Sequence, residues 1–291
     1  MYVIVGNLTI DYINGLKRPG GPGYYSGIAL ALLGEPVTIV GYAGRTYPLE
    51  VLKELEMLGI NLEMILMEGD PTVFELHYEE GARRVKLISR SPSINMSNLK
   101  RLNSKVKGIL INPVAGEIPI REIRIAREIA KVMAIDAQGF IRTINEEGEV
   151  SYYWSKELID NISIADIIHA DEEEIKFLGS SLEATKKLSK RVRIVSITMG
   201  HLGSLLAFNN SIYKVEVPMV YKGDETGAGD VYVAVLMSYL AKGYTPIEAA
   251  KFATVAAGLK VKHSLSTIRW YTREEIEELS EQVKVRKIGT I

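Results

Sequence analysis

The run Asp224-Glu225-Thr226-Gly227-Ala228-Gly229-Asp230 leads directly into an apolar stretch, VYVAVLMSYL. Glycines let backbone approach a ligand closely. The N–H groups of Gly227, Ala228, Gly229 and Asp230 are then candidates to face an anion at the positive end of a helix dipole. A phosphate suits such a turn. An acid in the first turn is unfavourable beside a bound polyanion unless it has a task, and that task is accepting a proton from a hydroxyl that attacks a γ-phosphoryl group. Asp230 is therefore the candidate catalytic base. The plainer alternative is a glycine-rich helix start with Asp230 as its capping residue. A Gly-x-x-x-x-Gly-Lys-Ser/Thr loop is absent, and no Gly-x-Gly-x-x-Gly follows the first strand pattern, which argues against a P-loop enzyme and a dinucleotide oxidoreductase.

Such a turn needs a scaffold, and the hydrophobic pattern supplies one. Strand-like runs recur at Tyr2 to Val5, Val37 to Val40, Gly108 to Ile111, Lys131 to Ile135, Asp166 to Ile168 and Arg193 to Thr198. Between them lie helix-period stretches at Gly23 to Leu33, Tyr47 to Leu58, Ile120 to Ala130, Glu172 to Leu178 and Leu182 to Lys190. This alternation predicts an α/β fold, a doubly wound, mainly parallel sheet with helices on both faces. A β segment at Ser204 to Val217 precedes helices at Ala228 to Lys242, Pro246 to Val261 and Arg273 to Val283. Two segments break the rhythm, Ile10 to Leu16, turning at Asn14-Gly15, and Thr72 to Ser89, a hairpin about Glu80-Gly81. They predict a small β lid inserted at about 10–17 and 70–90 of one domain spanning 1–291.

The 291 residues carry 35 Lys and Arg against 36 Asp and Glu, a net charge of -1, so no basic field draws the chain to nucleic acid or to an anionic membrane. With no cysteine, disulfides, thiolate metal sites and cysteine nucleophiles are excluded; the four histidines, 77, 169, 201 and 263, lack metal-ligand spacing. No basic leader precedes the first strand and no apolar run is long enough to span a bilayer, so a cytoplasmic location is expected.

The run from Asp224 to Asp230 resembles the signature of the ribokinase (PfkB) family of carbohydrate and nucleoside kinases, usually written DTxGAGD. Other landmarks of that family follow in order from Gly6 to about Val261. The resemblance implies an ATP-dependent kinase with Asp230 as base and Gly227, Ala228 and Gly229 as anion hole. Gly20-Gly21-Pro22-Gly23-Tyr24-Tyr25 looks like the family's paired-glycine turn, which places Gly20, Gly21, Tyr25 and Asp11 on the substrate. A carboxylate is a good acceptor for a diol, although Asp11 also suits a turn before Asn14-Gly15, and Tyr24 and Tyr25 also suit a core. Val40-Gly41-Tyr42-Ala43-Gly44 is similar to a second family turn, with Arg45 and Thr46 where acids are common.

Asp136 to Arg142 occupies the place of the family's DPNxR segment, which implies substrate or phosphate contacts for Gln138 and Arg142; an ordinary strand exit is the plainer reading. Asp171-Glu172-Glu173-Glu174 falls on the NxxE motif, implying that Glu174, with Asp171, orients water around Mg²⁺ from one helix face; a solvated acidic helix start is the alternative. Thr198 to Gly203 resembles the TxGxxG turn, and with Thr226 it gives Thr198, Gly200 and Gly203 as nucleotide contacts. Small residues from Ala253 to Gly258 offer a surface for adenine or for helix packing. A monovalent cation is a further candidate cofactor.

Tyr24, Tyr25, Arg45 and Gln138 depart from ribokinase itself, and the variant resembles the myo-inositol kinase branch. The acceptor expected is thus a sugar or polyol, myo-inositol-like by preference, with a nucleoside or hexose as alternatives. A silent ligand sensor on the same fold is the competing class, and the lid's strand edges offer a surface for a homodimer.

Overall fold

The computed structural model describes residues 1–79, 82–102, 106–264 and 266–291. Its principal sheet has ten strands, ordered Val285–Thr290, Ser211–Val215, Ser204–Phe208, Ile194–Thr198, Ile167–Asp171, Ala130–Asp136, Val106–Ile111, Tyr2–Val5, Val37–Tyr42 and Asn61–Leu66. From Ile194–Thr198 to Asn61–Leu66 neighbouring strands run parallel, and the remaining three are antiparallel. Tyr2–Val5 is buried at every position, as expected for a strand covered on both faces. One face packs against helices Gly21–Leu32, Ala228–Ala241 and Pro246–His263, and the other buries Val3, Val5, Ile109, Ile111, Met133 and Ile135. The mainly parallel α/β architecture agrees with the sequence pattern.

A second sheet of four strands, ordered Leu16–Gly20, Thr9–Ile13, Thr72–Glu79 and Ala82–Ser89, stands over the loop that follows Val106–Ile111. Its small core joins Ile13, Phe74 and Leu76 to Val114 and Ala115. The Asn14-Gly15 turn forms with both residues at positive φ, 50° and 79°, as a tight hairpin of this type requires. The second strand of that hairpin continues to Gly20, past the expected end near residue 17. The expected turn at Glu80-Gly81 lies outside the described residues.

Glu172 to Leu178 is not a helix; Ile167–Asp171 extends as strand to Asp171, and after a turn only Lys176–Leu178 winds, as a 3-10 helix. Ser204 to Val217 is two antiparallel strands, because Asn209 and Asn210 take positive φ and reverse the chain. Ile120 to Ala130 divides into a 3-10 turn, Ile120–Ile123, and a helix, Arg124–Ile129, before Ala130 enters the next strand. The strands Asn61–Leu66 and Val285–Thr290 lie at the sheet's two edges. There one side stays exposed and the hydrophobic run is diluted by polar residues, which hides them from periodicity.

Candidate active site

The carboxyl ends of the central parallel strands and the underside of the lid enclose a cleft of about 510 Å³. Open α/β sheets gather ligands at such strand ends. Helix Ala228–Ala241 starts at its floor. Gly227 precedes it in the left-handed region, φ 78°, and a Cβ there would meet the Tyr25 ring at 2.2 Å, so both the turn and its packing demand glycine. The amides of Gly227, Gly229 and Asp230 donate to no described protein group. That of Ala228 does not join them: it donates to the Glu225 carbonyl at 3.0 Å. Of the four amides expected to face an anion, three are thus left without a described partner, and Ala228 closes the turn instead.

Asp230 is 8% exposed and lines the cleft. Asn112 Nδ2 donates to its Oδ1 at 2.7 Å, and Gln138 Nε2 reaches the same oxygen at 3.3 Å and Asn112 Oδ1 at 3.0 Å. Burial and the Asp136 carboxylate push the Asp230 carboxyl up to about 7, against the pull of Asn112, His169 and Arg142. A carboxylate poised near neutrality is suited to proton abstraction, and its position at a helix N-terminus sets it beside the unpaired amides.

Gln138 thus meets the candidate base directly. Asn112 has no counterpart in the sequence reading, although it is the first residue beyond the strand Val106–Ile111, where side chains reach into a cleft of this kind. His169 is a second unforeseen neighbour. It lies inside a strand, its Nδ1 is 2.7 Å from Asp136 Oδ2, its Nε2 is 3.2 Å from Thr198 Oγ1, and its ring stacks on Tyr232. A third is Lys260, 1% exposed, whose Nζ donates to the carbonyls of Asp224 (3.0 Å) and Thr226.

Glu174 lines the cleft at 4% exposure. Its partnership with Asp171 is not that of two acids on a helix face: the Asp171 N–H donates to Glu174 Oε2 and the Glu174 N–H to Asp171 Oδ1, each at 2.9 Å, which closes a turn. Burial, then Asp171 and Asp136, raise the Glu174 carboxyl well above its usual range. Among the described residues no Lys or Arg pairs with it, so a cation brought in with a polyphosphate would relieve that burden. No group of three or more metal-ligating side chains occurs among the described residues. A Mg²⁺ held chiefly by phosphate and water fits this arrangement, whereas a cage of protein ligands does not.

At the lid end Asp11, 6% exposed, lines the cleft and accepts from Thr9 Oγ1 at 2.8 Å. Gly21 and Tyr25 line it too, but Gly20 does not. Gly20 serves Asp11 instead, for a Cβ at Gly20 would stand 2.1 Å from Asp11 Oδ2. Tyr24 packs edge-on against Tyr25 and stays outside the cleft, and exposed Arg45 is also away from it. Two of the four positions that motivated a polyol, Tyr25 and Gln138, thus reach the cleft. Arg142 lines it as well. Its Nη1 donates to the Val114 carbonyl at 2.9 Å while its buried Nε finds no partner among the described residues.

Thr198, Gly200, Gly203 and Thr226 line the cleft too, as do the largely apolar Val217, Met219, Val220, Tyr221, Thr254, Ala257, Gly258 and Val261. His201 is exposed at its rim. Ala253 and Ala256, by contrast, are buried away from it in helix packing. Arg18 on the lid pairs with Asp224 of the glycine turn at 2.9 Å and links the small sheet to that turn. Burial raises Asp224, but its bonds with Thr226, then Lys260 and Arg18, prevail and hold its carboxyl below the usual value.

A family profile, pfkB family carbohydrate kinase, matches residues 12–272. The bifunctional protein HldE of Histophilus somni is 27% identical over 269 residues, which is 87% of this chain and 54% of that protein. The chain thus spans about half the length of such curated relatives. Among solved structures, a pyrophosphate-dependent kinase in the ribokinase family, complexed with a pyrophosphate analog and myo-inositol, superposes with a TM-score of 0.80 at 22% identity, covering 90% of this chain and 96% of that one. Ribokinase of Arabidopsis thaliana complexed with ribose and ATP gives 0.75 at 18% identity, covering 96% and 98%. At these identities the structural likeness establishes a common fold.

Proposed function

Because this chain belongs to the pfkB family of carbohydrate kinases, we propose that it transfers the γ-phosphoryl group of ATP to a hydroxyl of a sugar or polyol, with Asp230 as the general base. The observation that carries the reading is one constellation: a buried carboxylate near pKa 7, held by Asn112, at the start of a helix whose Gly227, Gly229 and Asp230 amides are free to receive phosphate oxygens.

In this reading the Asp230 carboxylate takes the proton of the acceptor hydroxyl. The acceptor oxygen bonds to the γ-phosphorus as the bond to the β,γ-bridging oxygen breaks, and ADP departs. The three amides receive the negative charge spread over the phosphoryl oxygens, and Asn112 with Gln138 fixes the carboxylate's orientation. Asp11 and Arg142 hold the acceptor, with Gly21 and Tyr25 as its wall. Glu174 and Asp171 would orient the waters of a Mg²⁺, which would supply charge neutralisation at the phosphates. Thr198, Gly200, Gly203 and Thr226 border the nucleotide.

The donor preference follows from the apolar part of the cleft lining. Val217, Val220, Tyr221, Ala257 and Val261 offer apolar surface that a nucleobase covers and pyrophosphate leaves exposed. A cyclic polyol remains the preferred acceptor. Tyr25 covers a ring's C–H face and Asp11 receives paired hydroxyls, in keeping with the myo-inositol bound to the structural neighbour. An assay of ADP release with Mg²⁺, crossing ATP and pyrophosphate with myo-inositol, ribose, fructose and adenosine, tests both choices. Turnover with ATP and myo-inositol is expected. Turnover only with pyrophosphate, followed as phosphate release, removes the donor assignment, and a preference for one of the other acceptors removes the polyol.

A further inference from the structure

Lys260 is an ammonium in an unusual place. It is 1% exposed on helix Pro246–His263, and no carboxylate among the described residues lies within ion-pair distance of it. Its charge is met at close range by the main-chain carbonyls of Asp224 and Thr226 and by the face of the Tyr25 ring, 4.9 Å away, with the Asp224, Asp230 and Glu225 carboxylates beyond ion-pair distance. Carbonyl dipoles of this kind replace the hydration shell of a monovalent ion elsewhere in proteins. Burying a cation is costly, and a lysine in a merely apolar niche would be replaced at little loss.

What Lys260 grips is the turn that presents the phosphate-binding amides. In a trans peptide the C=O of one residue and the N–H of the next point in opposite directions, and the chain has no cis bond among the described residues. Holding the Thr226 carbonyl on the Lys260 side therefore fixes the Gly227 N–H on the opposite side. Holding the Asp224 carbonyl does the same for the Glu225 N–H two peptides earlier, and the Thr226 N–H of the peptide between them bonds to Asp224 Oδ1 at 2.9 Å. We propose that the Lys260 ammonium is a built-in monovalent cation that holds the anion-binding turn in its working shape, so that phosphoryl transfer by this chain requires no added alkali-metal ion. Lys260 is in this sense a positioning residue. The inference rests on the kinase reading above and replaces the monovalent cofactor that the sequence left open.

The test measures kcat and KM for ATP, with Mg²⁺ present, in choline chloride, sodium chloride or potassium chloride at matched ionic strength. For the wild type kcat is expected to agree within about twofold across the three salts, while Lys260→Met loses about 10- to 100-fold in choline, the scale of a misaimed anion-hole donor. Potassium or ammonium chloride then restores the variant several-fold, a response that loss of packing alone does not give. A wild type that requires potassium overturns the inference. So does a folded Lys260→Met that keeps its rate in choline or that neither ion rescues. Should Lys260→Met fail to fold, by circular dichroism, the wild-type salt comparison decides alone. Failure of the wild type in every salt contradicts the kinase reading, whereas failure in choline with recovery in potassium contradicts only the role of Lys260.

Discussion

The two ends of the cleft are built in different ways. At the proposed donor end the groups assigned to phosphate are main-chain amides on one contiguous turn, Asp224 to Asp230, anchored by a helix whose residues from Asp230 to Tyr239 are all buried. At the proposed acceptor end they are side chains from separate segments, Asp11, Tyr25, Gln138 and Arg142, under a four-stranded sheet with a small core of its own. Backbone recognition tolerates little substitution because every residue of the turn shapes it. Side-chain recognition can be retuned one residue at a time. Damage at the donor end is accordingly expected to abolish transfer, and damage at the lid to change which acceptor is used and how well.

The largest effect is expected at Asp230. Asp230→Asn lowers kcat by about 10²–10⁴, the scale of a lost general base, and leaves ATP binding by calorimetry near the wild-type value. The same change stabilises the fold. An unfolded aspartate titrates near 4 and the folded Asp230 near 7, so the folded state holds the extra proton between those values and loses stability as pH rises across that window. Removing the charge relieves this at pH above 7 by on the order of a few kcal/mol, seen as a raised Tm. A variant both less active and less stable would contradict the description of Asp230 as a strained, buried charge.

Gly227→Ala comes next. At φ 78° and with the Tyr25 ring in the way, an alanine costs about 1–3 kcal/mol of strain and displaces the first helical turn. Its KM for ATP should rise about tenfold or more, whereas Gly21→Ala at the lid end should act on the acceptor KM instead. Equal effects of the two on both substrates would erase the distinction between the ends. For the wild type, kcat/KM should climb with pH through about 7 as Asp230 ionises. Asn112→Ala, which removes the bond that favours the charged carboxylate, should move that limb to higher pH. A limb that stays in place would detach Asn112 from the base. The smallest effect belongs to the ion pair between Arg18 and Asp224, which is partly exposed. Arg18→Ala is expected to cost less than about 1 kcal/mol in stability, read by urea denaturation, with a modest rise in acceptor KM.

The same division governs what the sequence discloses. The glycine turn was legible, since local chemistry determines it: Gly227, Gly229 and Asp230 are neighbours in the chain and in space. The parallel sheet was legible because strands such as Tyr2–Val5 are apolar on both faces. Asp11 and Gln138 could be placed at the cleft only through their order along a family pattern. Asn112, His169 and Lys260 escaped that reading. Each meets partners tens to more than a hundred residues away: 118 separate Asn112 from Asp230, and 34 separate Lys260 from Thr226. A lone polar residue among apolar neighbours carries no local sign of such a contact. The helical setting expected for Asp171 and Glu174 failed for a different reason: acids three apart suit a helix face, but these fold back on each other's backbone and end the strand.

The most direct test of the central claim is a single-turnover measurement with the full chain, ATP, Mg²⁺ and myo-inositol, ribose, fructose or adenosine, following ADP and the phosphorylated acceptor together in the wild type and in Asp230→Asn. The wild type is expected to form one phosphorylated acceptor for each ADP, and Asp230→Asn to bind both substrates but form product slower by about 10² or more. Product formation at the wild-type rate in Asp230→Asn, or bound ATP and acceptor with no transfer in the wild type, would contradict the claim.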